Sequence, residues 1–136
     1  ETIPDKIRER LKAVEGTPLK IFNANAQSWY DSYCHGSAGY NGVMANFHPD
    51  LYKWAYDHKD SDPEKAQLVA HFLTTAAMIE MRAYPVSAKY HQNLVDVPMS
   101  LVTRSADAAK LDKNARGEVE SLIAMENYVR KQLGIL

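Results

Sequence analysis

The stretch Gly36–Asp57, GSAGYNGVMANFHPDLYKWAYD, constrains the fold more than any other part of this chain. Gly36, Ser37, Ala38 and Gly39 are small enough to let the backbone turn tightly and approach its neighbours. Tyr40–Ala45 is then short, apolar-rich and bounded by turn residues, which predicts a buried strand. Asn46-Phe47-His48-Pro49 stops that strand. Pro49 opens a helix in which Leu51, Trp54 and Ala55 share one side. A strand that feeds directly into a helix is half of a β/α unit. In such units ligands gather at the carboxyl end of the strand.

The segments on either side extend this pattern. Thr2 is placed to cap a helix whose first turn holds Pro4 and Asp5, and Ile3, Ile7, Leu11 and Val14 form its apolar stripe. Gly16 ends that helix, Leu19–Phe22 reads as a short strand, and Asn23 to Gln27 is its polar exit. Ser28–His35 reads as a short helix. Beyond a polar loop at Lys59–Asp62, Asp62-Pro63-Glu64 carries the cap, proline and acid of a long helix. Val69, Phe72, Leu73, Ala76 and Ile79 are its expected buried side. Tyr84-Pro85 ends it, a shorter helix runs from Val86 to about Val95, and Val97–Ala109 is a loop. Asp112 caps a last helix with the stripe Val119, Leu122, Met125, Val129 and Leu133, which Gly134 stops.

Composition narrows the function classes. A chain of 136 residues with a net charge of -1 offers no electrostatic reason to bind nucleic acid or an anionic membrane. No apolar run has the length of a membrane span and no secretory signal is visible, so no membrane partner is expected. The single cysteine, Cys34, has no internal partner, which makes a reducing cytoplasm the expected location. The sequence starts at Glu1 and not at methionine, and it is expected to be a piece or a processed product.

The pattern Gly36-x-x-Gly39-x-Asn41-Gly42-Val43-x-Ala45-Asn46, followed by Pro49, resembles the strand-eight signature of the dihydrodipicolinate synthase and N-acetylneuraminate lyase family. The resemblance runs most strongly from Pro18 to Lys89. It implies an α/β fold: the carboxyl-terminal part of a TIM (β/α)8 barrel over residues 1–58, and a helical extension over residues 59–136. Leu19–Asn25 would be strand seven, Tyr40–Ala45 strand eight, and the helix from Ile3 the connection between strands six and seven. The implied chemistry is that of a class I aldolase or lyase, which forms a Schiff base with pyruvate or a related 2-oxo acid. No metal or organic cofactor is expected. The implied partners are the amino-terminal half of the barrel and further copies of the whole protein, often a tetramer.

In that chemistry a lysine with a lowered pKa attacks the keto carbon, and the imine becomes an electron sink for making or breaking a carbon–carbon bond. The family places this lysine and its tyrosine partner on strands before Glu1, so this chain is expected to be inactive alone. Lys20 lies near the amino end of its strand, Lys53 on the outer face of a helix and Lys89 in the extension, and none suits the role. The chain is instead expected to supply one wall of the pocket through Asn23, Ala24, Asn25, Asn41, Gly42 and Val43. Ala24 stands where relatives often carry glycine, and Asn41 where many carry isoleucine. The three asparagines either present amides to a hydroxylated substrate or end strands and cap helices. A sugar-acid aldolase fits the asparagine-rich rim somewhat better than the lysine-pathway synthase. The five histidines, His35, His48, His58, His71 and His91, have no zinc-type spacing. Two other readings stand beside the enzyme: an α-rich, non-enzymatic binding or assembly module, and a degenerate family member.

Overall fold

The computed structural model describes residues 4–136, so the expected cap at Thr2 and the stripe position at Ile3 lie outside the described residues. Helix α1 spans Pro4–Ala13 and buries Ile7. Strand β1 (Phe22–Asn23), helix α2 (Trp29–Cys34) and strand β2 (Gly39–Tyr40) follow, then a 3-10 turn at Val43–Asn46. Helices α3 (Pro49–His58) and α4 (Pro63–Ala76) come next, and α4 tightens into a 3-10 turn at Ala77–Met81. Helix α5 (Val86–Leu94), a 3-10 turn at Ala108–Lys110 and helix α6 (Lys113–Leu133) complete the chain.

The barrel expectation is overturned. The described residues are dominated by helix and contain two strands of two residues each, which pair in parallel as a sheet of their own. This is not an α/β sheet bearing barrel strands seven and eight. The expected strand Leu19–Asn25 contracts to Phe22–Asn23, with Leu19 and Phe22 exposed. Strand residues gain little when no sheet covers their faces. The expected strand Tyr40–Ala45 contracts to Gly39–Tyr40, and Val43–Asn46 coils into the 3-10 turn. Asn41-Gly42 is a turn dipeptide, and it breaks the apolar run just after Tyr40.

The helices follow their end signals. Asp112 accepts a hydrogen bond from the Ala115 amide at 2.8 Å and so caps α6, and Gly134 closes it at a φ of 69° that favours glycine. Gly16, just past α1, has a φ of 76°.

Contacts divide the chain into two compact units. The first holds residues up to Ala45 together with Pro49–Thr75. Its core is built on Trp29, fully buried, with edge-on contacts to Tyr33 at 4.9 Å and Tyr52 at 4.7 Å. Leu51, Ala55, Val69 and Leu73 are buried in the same unit. On α3 the buried side is Leu51, Tyr52 and Ala55, while Trp54 is half-buried and stacks on His58. The second unit holds Asn46–His48 and Ala76–Leu136. There α5 packs on α6, and Val86, Leu111 and Ala115 form an apolar cluster with Tyr90 and Leu101.

Candidate functional site

In the first unit the two strands lie side by side in register, Phe22 beside Gly39 and Asn23 beside Tyr40. Both chains leave at the same end, so the segments after them form one rim. The Asn41 amide donates to the Asn23 carbonyl at 2.8 Å, extending the pairing one step past β2. Gly42 then passes so close to the other segment that a Cβ built on it would lie 2.5 Å from the Ala24 carbonyl oxygen and 2.1 Å from the Tyr40 hydroxyl. No residue but glycine fits there without displacing its neighbours. The rim therefore brings together Asn23, Ala24, Asn25, Asn41, Gly42 and Val43.

Their side chains fall into two groups. Asn23 is buried, and its amide nitrogen donates to the hydroxyls of Ser28 at 3.1 Å and Ser32 at 3.2 Å. Its side-chain oxygen accepts from the Asn25 amide at 2.9 Å. Asn25 accepts from the Ser28 amide at 3.0 Å and the Ser28 hydroxyl at 2.8 Å, and so organises the turn into α2. These two asparagines hold the rim in shape. Ala24 and Asn41 are exposed, and Gly42 and Val43 are half-buried, so these four form its accessible part.

No lysine among the described residues is set up as an imine-forming amine. Lys20 is exposed, Lys53 is ion-paired with Asp57, and Lys89 donates to the Val102 carbonyl. Lys59 moves the wrong way: its hydrogen bond to Asp60 raises its pKa.

The second unit contains a polar cluster that spacing does not reveal. Glu126 is fully buried on α6. It accepts from His48 Nδ1 at 2.6 Å and from His91 Nε2 at 3.0 and 3.1 Å. Arg130, one turn further on, reaches its other oxygen at 3.4 Å. Burial alone would push the Glu126 carboxyl up, but the hydrogen bonds and attraction from His48 and His91 outweigh it and hold the carboxyl down at about 2. An ionised carboxylate only accepts, so His48 carries a proton on Nδ1 and His91 on Nε2.

Glu126 and His48 are 78 positions apart, beyond the reach of any local motif. One signal was available. Glu126 stands four residues after Leu122 and seven after Val119, on the apolar side of α6, where a charge is out of place without a partner. The expected stripe member Met125 is half exposed. With no face open to solvent, the cluster is a staple between α5, α6 and the Asn46–His48 segment. Among the described residues no group of His, Cys, Asp or Glu side chains is arranged to hold a metal ion. No helix among them is long and apolar enough to cross a membrane.

Comparison with known proteins gives no matching family model and no matching curated protein.

Proposed function

We propose that this chain belongs to an enzyme that makes or breaks a carbon–carbon bond next to pyruvate or a related 2-oxo acid held as a Schiff base. Within it, the chain supplies a wall of the acid's pocket and not the reacting amine. The observation that carries this reading is the convergence of Asn23-Ala24-Asn25 and Asn41-Gly42-Val43 on one rim at the carboxyl ends of two parallel strands. Gly42 lets the two segments close into one rim, and the small, exposed Ala24 leaves its backbone accessible to a compact planar acid. The exposed Asn41 amide can donate to, or accept from, a hydroxylated tail. The resemblance of Gly36–Pro49 to the dihydrodipicolinate synthase and N-acetylneuraminate lyase signature supports the same chemistry.

The roles divide accordingly. The rim orients the 2-oxo acid, while a lysine outside these residues forms the imine and a tyrosine beside it moves the proton. A cytoplasmic location and self-association of the whole protein go with this reading.

The test is reduction with borohydride in the presence of pyruvate, followed by mass measurement, on this chain and on the full product of its gene. The full product gains one pyruvyl adduct on a lysine outside Glu1–Leu136, and this chain gains none. An adduct on Lys20, Lys53 or Lys89, or none on the full product, overturns the proposal.

A further inference from the structure

A slot with a cavity volume of about 260 Å³ opens in the first unit between α2, β2 and α3. It is a separate feature from the rim, and none of the six rim residues lines it. Its walls include Tyr33, Tyr40, Tyr52 and Tyr56, together with Gly39 and the exposed Lys53. Tyr40 and Tyr52 stack at 4.1 Å with planes 11° apart, and Tyr33 meets Tyr56 edge-on at 4.8 Å. Trp29 backs three of these rings, at 4.9 Å from Tyr33, 4.7 Å from Tyr52 and 6.2 Å from Tyr40, so the walls are held before any ligand arrives. Burial pushes the Tyr33 phenol up, which keeps it neutral.

The slot is lined by these rings and by the small residues Ala38, Gly39 and Ala45. It is about large enough for one aromatic ring with a short arm. Its surface is mostly ring and aliphatic carbon, which favours a flat apolar body. The one full charge lining it is the Lys53 ammonium, which is exposed and held only by Asp57, one turn further along α3. An exposed pair of that kind is weak, so an incoming anion competes for the ammonium at little cost.

We infer that this slot binds a single-ring aromatic carboxylate, with the ring against the accessible edges of Tyr40 and Tyr56 and the carboxylate on Lys53. The charge complementarity selects the anion, and the ring walls select the aromatic body.

The probe is phenylacetate, titrated into the full 136-residue chain and followed by amide and tyrosine ring shifts in NMR spectra. Saturable shifts centred on Gly39, Tyr40, Tyr52, Lys53 and Tyr56 are expected, with millimolar affinity as suits so small a ligand. 2-Phenylethanol, which keeps the ring but lacks the charge, should bind about two- to fivefold more weakly, the worth of one exposed ion pair. Lys53→Met, a change at an exposed position, should bring the two ligands to equal affinity while the spectrum stays that of the folded chain. The absence of saturable shifts in the slot overturns the inference. So does equal binding of phenylacetate and 2-phenylethanol to the unaltered chain, or a Lys53→Met chain that keeps the preference. Pyruvate has no ring and should not shift the slot residues, so failure here leaves the rim proposal standing, and the reverse holds too.

Discussion

The rim of the first unit and the staple of the second both gather polar side chains, and they spend them differently. In the staple the polar groups are turned inward: Glu126, His48 and His91 are fully buried, and both imidazoles bond to Glu126. In the rim Asn23 and Asn25 are consumed by internal hydrogen bonds, yet Asn41 and Ala24 remain at the surface. Solutes have access to the second arrangement and not to the first. A polar cluster is therefore a candidate site only to the extent that its groups are left over after the fold has used them.

Changes in the staple should have the largest effects. Glu126→Ala removes the acceptor of two buried imidazole N–H groups and leaves a cavity, and breaking a buried charged set costs about 3–5 kcal/mol. Denaturant unfolding followed in the second unit should show a loss of that size. A value within experimental error of the unaltered chain would mean that the cluster does not hold α5 to α6.

Acid should act through the same group. The folded Glu126 carboxyl titrates at about 2, below its unfolded value of roughly 4.3, so its stabilisation is fully present above the unfolded value. It is lost as pH falls from roughly 4.3 through about 2, and amounts to roughly 3 kcal/mol in all. A Glu126→Gln chain should start less stable and show a flatter stability profile across that window. Parallel profiles for the two chains would remove Glu126 from the account.

Rim substitutions should be smaller and should separate the holders from the presenters. Gly42→Ala forces a Cβ against the Ala24 carbonyl and the Tyr40 hydroxyl, an overpacking cost of about 1–3 kcal/mol. Asn23→Ala removes the donor to the Ser28 and Ser32 hydroxyls and the acceptor of the Asn25 amide, and should cost about 1–2 kcal/mol. Asn41→Ala, at an exposed side chain whose backbone amide makes the bond to Asn23, should change stability by less than about 0.5 kcal/mol. Thermal or denaturant melts that rank these three in another order would dissolve the distinction.

Much of the helical framework was legible because its signals are local. Pro49, Pro63, Asp112 and Gly134 mark helix ends through their own backbone and side-chain chemistry, and the helices start and stop beside them. The strands were not legible in the same way. A strand is defined by what pairs with it, and Leu19–Phe22 has the composition of a core strand while most of it lies uncovered. Asn41-Gly42 did carry a turn signal that outweighs the apolar run around it. The rim residues were named from a resemblance, but the bond from the Asn41 amide to the Asn23 carbonyl depends on register, which no spacing encodes. Glu126 was hidden for the opposite reason. Its partners lie far along the chain, and only its place on an apolar helix face hinted at them.

Under the proposed function the rim receives a 2-oxo acid without supplying the amine that reacts with it. Pyruvate titrated into the isotopically labelled chain, with amide shifts read residue by residue, tests this most directly. Saturable shifts are expected at Asn23–Asn25 and Asn41–Val43, none at the staple, and an unchanged mass after borohydride reduction. Shifts centred elsewhere, no saturable shifts, or a stoichiometric pyruvyl adduct on this chain would contradict it.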